Sequence, residues 1–211
     1  MAAPEMEKDS LGGKRLQKIG VFGGSFDPIH HGHLILAREA LETLGLDQIL
    51  FVPAAQSPHK PGRAPASAAA RWEMIEAALA GASASAFAAS RLELDRPPPS
   101  YSVDTIEQLR AAHPGAQFYF LIGEDNLAQL PTWHRFDDLA RLVQFVVLDR
   151  SGQAAASPYP TIRRLIDISA TAIRIRVASG RSVRYLVPEA VEQIIRHEQL
   201  YQGAEESNPK S

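Results

Sequence analysis

Eleven consecutive residues, Gly23-Gly24-Ser25-Phe26-Asp27-Pro28-Ile29-His30-His31-Gly32-His33, gather glycines, a proline and three imidazoles into one short stretch. The apolar run Ile19-Gly20-Val21-Phe22 precedes them and reads as a buried strand, while Leu34-Ile35-Leu36-Ala37-Arg38-Glu39-Ala40-Leu41 follows and reads as a helix. A tight glycine turn that opens into a helix start presents unpaired N–H groups and the positive end of a dipole, which suits phosphate. Glycine lets the backbone approach such a group closely. His30 and His33 are three apart and share a face on the first helical turn. The segment therefore reads as a phosphate cradle with two proton donors at its floor. Imidazoles that merely cap a helix are the plainer reading, and the strand, glycines and helix in sequence weigh against it. A zinc site from His30, His31 and His33 lacks the HExxH spacing, and adjacent histidines point in different directions.

Four further groupings carry usable chemistry. Ile168-Ser169-Ala170-Thr171-Ala172-Ile173-Arg174 joins a strand-like run to a helix. Ser169 or Thr171 can cap that helix, and Arg174 falls on its first turn or just beyond. Alone it is a capped helix; beside the first segment it becomes a second phosphate cradle. Val52-Pro53-Ala54-Ala55-Gln56-Ser57-Pro58-His59-Lys60 places a basic pair on the loop after the second strand, where Lys60 can meet phosphate. Ser100-Tyr101-Ser102-Val103-Asp104-Thr105 opens a helix that Ser102 with Thr105 can cap. Ile122-Gly123-Glu124-Asp125-Asn126 ends a strand, and Pro131-Thr132-Trp133-His134 follows it. Gly123 allows a nucleotide close to the backbone, Asp125 can accept from a ribose hydroxyl, and Trp133 can stack on a heteroaromatic ring.

The elements that must position these groups alternate between strand and helix patterns, which argues for a parallel α/β sheet. Strands are expected at Ile19–Phe22, Gln48–Val52, Phe87–Leu94, Gln117–Ile122, Gln144–Leu148 and Arg164–Ile168. Helices are expected at His31–Leu44, Ala68–Ala80, Ser102–Ala112, Glu124–Leu130, Phe136–Arg141, Thr171–Ser179 and Pro188–His197. Within the alanine-rich tract 64–89, Trp72, Ile75 and Leu79 have helical spacing and read as a structural face. Loops 53–65, 96–100 and 151–160 are long or proline-rich, and long loops after strand ends are where ligands usually bind in such sheets.

The chain of 211 residues fits one domain over 18–202, with its C-terminal helical part at about 169–202 and polar tails at 1–17 and 203–211. A net charge of −2 gives no bulk electrostatic case for nucleic acid. The absence of cysteine excludes disulfides, thiolate zinc sites and cysteine nucleophiles. Neither a secretory h-region nor an apolar run of transmembrane length is present, so a cytoplasmic protein without a membrane partner is expected.

His30-x-Gly32-His33 resembles the HxGH element of the nucleotidyltransferase superfamily, and the fuller GGSFDPIHHGH is similar to that of bacterial nicotinate-nucleotide adenylyltransferases. The later groupings resemble that family's ISxTxxR, PHK, SYTxxT and GxD…W elements, and Tyr185-Leu186-Val187-Pro188 to Tyr201 its closing helix. The likeness runs from about Ile19 to Tyr201. The chain departs at Ala170, where many members have serine, at Ser102 for threonine, and at Ser151-Gly152 for Pro-Gly after Arg150. The resemblance implies a Rossmann-like, doubly wound nucleotidyltransferase that moves the adenylyl group of ATP onto nicotinic acid mononucleotide, releasing pyrophosphate. It implies catalytic roles for His30, His33 and Arg174. ATP and its phosphates would meet Gly23, Gly24, Ser25, Phe26, Gly32, Lys60, Gly123, Asp125, Ile168, Ser169 and Thr171. The pyridine mononucleotide would meet His59, Tyr101, Ser102, Trp133 and Arg150. Magnesium is expected to ride on the ATP phosphates with no protein ligand, and the histidines beside polyphosphate are expected to favour the protonated form. A pantetheine-phosphate adenylyltransferase, a cytidylyltransferase and a non-catalytic nucleotide sensor are the alternatives, and a homo-oligomer is left open.

Overall fold

In a computed structural model, residues 15–55, 66–81, 86–152 and 157–202 are described. Six strands form one parallel sheet: β1 (Lys18–Gly24), β2 (Gln48–Pro53), β3 (Phe87–Ala89), β4 (Gln117–Gly123), β5 (Gln144–Asp149) and β6 (Thr161–Arg163). Their spatial order is β3-β2-β1-β4-β5-β6. This is the doubly wound order, which reverses between β1 and β4 and opens a crevice at the strands' carboxyl ends. Gly23-Gly24 and Gly123 lie at that crevice, because they close β1 and β4.

Side chains alternate across the sheet and fill two cores. Phe22, Phe51, Leu121 and Leu148 face α1 (His31–Leu44), α2 (Ala68–Leu79), α5 (Ala170–Ala178) and α6 (Glu189–His197). Val21, Val52, Phe120 and Val147 face α3 (Ser102–Ala112) and α4 (Phe136–Leu142). The last two helices thus share the core of the first two. No helix among the described residues is long and apolar enough to cross a membrane.

Four expectations need correction. The last strand is Thr161–Arg163, not Arg164–Ile168. Beyond Arg163 the chain still bonds β5 through Arg164 N–H to Asp149 O (2.9 Å) and Ile166 N–H to Arg150 O (2.9 Å), but irregularly, and Leu165 is left 70% exposed. β3 stops at Ala89, because Arg91–Asp95 closes a turn through Asp95 N–H to Arg91 O. Residues 124–132 form a 3-10 segment rather than an α-helix, and Pro131 inside it lacks the N–H that an α-helix needs there. In α2 the buried face is Ala70, Arg71, Met74 and Ile75, while Trp72 turns to the side, beneath the Arg91 guanidinium.

Candidate active site

β1 runs straight into the histidine segment. The chain turns at Phe26, whose φ of +47° is uncommon for a bulky residue. Its buried ring fixes that conformation, with centroids 5.6 Å from Phe22, 5.7 Å from Phe51 and 5.1 Å from His33. His30 is the N-cap of α1 and its extended backbone hands the chain to the helix. Gly32 permits a close approach: a Cβ there would stand 3.0 Å from the His30 ring and 3.4 Å from Ile168 O. Glycine therefore lets the imidazole of His30 fold over the first turn, and lets the second cradle reach it.

The His30 backbone N–H donates to Nδ1 of His33 at 3.3 Å. An accepting Nδ1 leaves the proton of a neutral His33 on Nε2. His30 is buried, and this pushes its pKa from 6.5 down to about 3, with smaller contributions from the charges of Arg150 and His31. Desolvation thus holds the His30 ring neutral in the protein itself, against the attraction that a neighbouring polyphosphate would exert.

The second cradle closes onto the first. Ser169 caps α5 by accepting from Ala172 N–H at 3.1 Å. Arg174 donates from Nη1 to Asp27 O at 2.6 Å and from Nη2 to Thr171 Oγ1 at 3.1 Å. Its Nη1 also lies 4.0 Å from Asp27 Oδ2. Arg150 donates to Ile168 O at 3.4 Å, so it stands on the histidine side of the crevice. His59 and Lys60 lie outside the described residues.

Across the crevice, Gly123 closes β4. A Cβ there would stand 2.5 Å from Asp125 Oδ1, so glycine leaves room for that carboxylate to fold back over the strand end. Tyr101 is the N-cap of α3 and makes no side-chain cap bond, and Ser102 and Thr105 do not supply the expected cap; the side-chain bonds at this end, from Thr105 Oγ1 (3.3 Å) and Arg96 Nη2 (3.4 Å), go to Tyr101 O. Thr105 Oγ1 also donates to the buried carboxylate of Glu93 at 2.8 Å, and burial pushes the Glu93 pKa up. Tyr101 stacks on His134 with centroids 4.2 Å apart, and Trp133 meets Phe120 edge-on at 6.0 Å. The Ser100 turn and the Trp133 loop, far apart in sequence, therefore meet on one side.

Three residues that the sequence reading gave no role, Arg71, Asp27 and Tyr201, hold the site together. Arg71 is 3% exposed and donates to Ser25 O (2.9 Å), Ala54 O (2.7 Å), Ala55 O (3.4 Å) and Ala66 O (3.3 Å). It pins the glycine–histidine loop to the end of β2. Asp27 Oδ1 accepts from Tyr201 O–H at 2.7 Å and from Ala66 N–H at 3.1 Å. Arg71 had a signal: it stands three and four residues before Met74 and Ile75, on the apolar face of its helix. Tyr201 had none beyond an aromatic near the end of the chain.

Among the described residues no three His, Asp or Glu side chains gather closely enough to hold a metal ion. The crevice offers imidazole, guanidinium and helix N-termini, a donor-rich set that suits polyphosphate.

A family model described as cytidylyltransferase-like matches residues 21–176. A relative named probable nicotinate-nucleotide adenylyltransferase, from Geobacillus thermodenitrificans, is 47% identical over 187 residues, spanning 87% of this chain and 86% of the relative. Another of that name, from Thermomicrobium roseum, is 42% identical over 207 residues, spanning 92% and 96%. Among solved structures, the Plasmodium falciparum nicotinic acid mononucleotide adenylyltransferase complexed with NaAD aligns with a TM-score of 0.73 at 18% identity, covering 88% of this chain and 97% of that one. At that identity the match speaks for the fold.

Proposed function

The chain belongs to the nicotinate-nucleotide adenylyltransferases, within the cytidylyltransferase-like family, and from that premise we propose how its residues divide the work. It is an enzyme of NAD biosynthesis that transfers the adenylyl group of ATP to nicotinic acid mononucleotide. A phosphate oxygen of the mononucleotide attacks the α-phosphorus of ATP in line. The bond from that phosphorus to the bridging oxygen breaks, and pyrophosphate leaves with its electrons. No protein nucleophile is needed, so catalysis is positioning plus stabilisation of charge on phosphate oxygens.

Gly23 to Phe26 and the start of α1 receive the phosphates. His33 donates from Nε2 to an oxygen of the reacting phosphoryl group, and His30 holds His33 from behind. Arg174, with Thr171, Ser169 and Arg150, takes the β- and γ-phosphates. The observation that carries this reading is the 2.6 Å bond from Arg174 to Asp27 O, which puts the guanidinium of the second cradle onto the loop of the first. Magnesium would be carried by ATP rather than by protein ligands and would supply charge neutralisation there, since the donor set of the crevice suits an anion. Asp125 accepts from a ribose hydroxyl. The pyridine ring lies by Trp133, with its carboxylate at the uncapped N-terminus of α3.

Release of pyrophosphate from ATP and nicotinic acid mononucleotide tests the reaction. Arg174→Ala is expected to weaken ATP and pyrophosphate binding while sparing the mononucleotide; equal loss for both would assign Arg174 to the fold instead. The carboxylate subsite predicts kcat/KM for the acid above that for nicotinamide mononucleotide by at least roughly ten- to a hundredfold. Equal rates would overturn that subsite and leave adenylyl transfer standing.

A further inference from the structure

The first turn of α3 contains Asp104, two residues after Ser102. A carboxylate there opposes the anion that an uncapped helix start would otherwise attract. Arg135 stands 3.8 Å from that carboxylate, with its Nη1 toward Asp104 Oδ1. The same guanidinium donates from Nη2 to Glu107 Oε1 at 2.8 Å and from Nε to Asp138 Oδ2 at 2.8 Å. Glu107 belongs to α3 and Asp138 to α4. Arg135 directly follows Trp133-His134 and is the N-cap of α4. One planar side chain therefore ties the loop that carries Trp133 to the helix that begins at Tyr101-Ser102.

The backbone at this point is unusual too. Arg135 has φ +52° and ψ 43°, in the left-handed region where asparagine or glycine is easier to place. An arginine kept in that conformation points to a use for its side chain, since a short residue would serve the turn as well or better. The Tyr101–His134 stack is a second tie between the same two segments, and it carries no charge compensation.

Resting on the pyridine subsite described above, we propose that Arg135 is a positioning and specificity-determining residue for the mononucleotide. It sets the Trp133 loop against the start of α3, and it cancels the charge of Asp104 and Glu107 so that this helix start accepts a carboxylate. ATP, bound through the histidine segment and α5, is not affected. Asp138, held below its usual carboxylate pKa chiefly by its hydrogen bond to Arg135, remains an anion and keeps the fork engaged through the working pH range.

The test is steady-state kinetics of wild type, Arg135→Asn and Arg135→Lys with ATP, nicotinic acid mononucleotide and nicotinamide mononucleotide, with thermal melts to check folding. Asparagine suits the left-handed backbone, so a defect in Arg135→Asn reports the lost guanidinium and not strain. We expect KM for the acid to rise roughly three- to tenfold, the scale of a small cluster of half-exposed ion pairs, with KM for ATP within about twofold of wild type. The acid-over-amide ratio should fall, and Asp104→Asn in the Arg135→Asn background should restore part of it. Lysine should recover part of the ratio through its charge but less of KM, because it cannot span three carboxylates as a fork. Equal rises in KM for both substrates, or an unchanged acid-over-amide ratio, overturn the proposal. Trp133→Ala separates the two levels: if it leaves KM for the acid unchanged, the pyridine subsite itself fails; if it raises KM and Arg135→Asn does not, only the role of Arg135 fails.

Discussion

The imidazoles of His30 and His33 lie stacked, with ring centroids 3.7 Å apart and 23° between their planes. Two protonated rings in that arrangement would repel strongly, and burial already keeps His30 neutral. The pair therefore divides its labour. His30 is the buried member, and His33 is partly exposed at the crevice, as its proposed contact with phosphate requires.

His33→Ala should leave the fold intact and lower kcat by roughly 10²–10⁴-fold, the range for losing one transition-state donor or acid. Affinity for ATP should fall less. A folded variant with near wild-type kcat would remove His33 from the chemistry.

The buried His30 also predicts a pH signature in stability. Its folded pKa of about 3 lies below the unfolded value of 6.5, so between those pH values the unfolded chain binds the proton and the native state does not. Above pH 6.5 the ring is neutral in both states and contributes nothing. Stability is then lost as pH falls from 6.5 toward 3, by up to about 1.4 kcal/mol per pH unit from this group. Urea titrations of wild type and His30→Gln between pH 4.5 and 7.5 should show a shallower acid slope in the variant. Parallel slopes would mean that His30 is not held neutral in the native state.

Gly32→Ala offers a separation of stability from activity. Alanine improves helix propensity by about 1 kcal/mol, but its Cβ meets the His30 ring at 3.0 Å and the carbonyl of Ile168 at 3.4 Å. Melting temperature should change little, while kcat should drop by at least about tenfold as the imidazole tilts, since misplacement of a catalytic group by an ångström is costly. Wild-type kcat in this variant would show that the ring has room to move.

Arg71→Met keeps much of the stem's volume and strips the charge from four backbone carbonyls. Losing hydrogen bonds from a buried guanidinium should destabilise by at least about 2 kcal/mol in urea melts. Lysine should not restore it, because one ammonium cannot reach the ends of β1 and β2 together. A loss below about 0.5 kcal/mol would show that solvent satisfies those carbonyls.

The strand–glycine–histidine–helix signal was legible because every feature of it is local. Ile19–Phe22 was short, apolar and followed by glycine, and β1 formed there with only its ends extended. The edge of the sheet was less legible. Leu165-Ile166-Asp167-Ile168 has the alternation of a strand, but an edge segment has one neighbour, and here pairing settled three residues earlier on Ile162. The ties between distant segments had little local signature. Tyr201 on Asp27, Arg71 on Ser25 and Arg135 on Glu107 each depend on which loops the sheet order brings together, and periodicity within one segment does not encode that.

The Tyr201–Asp27 hydrogen bond joins positions 174 residues apart. During synthesis the glycine–histidine loop emerges early, yet the hydroxyl that holds Asp27 arrives only after the last helix has been made. Closing so long a loop is entropically late in folding. The nascent chain can therefore complete all six strands before the hydroxyl that holds Asp27 exists, and this tie on the glycine–histidine loop closes only once α6 has been made and docked.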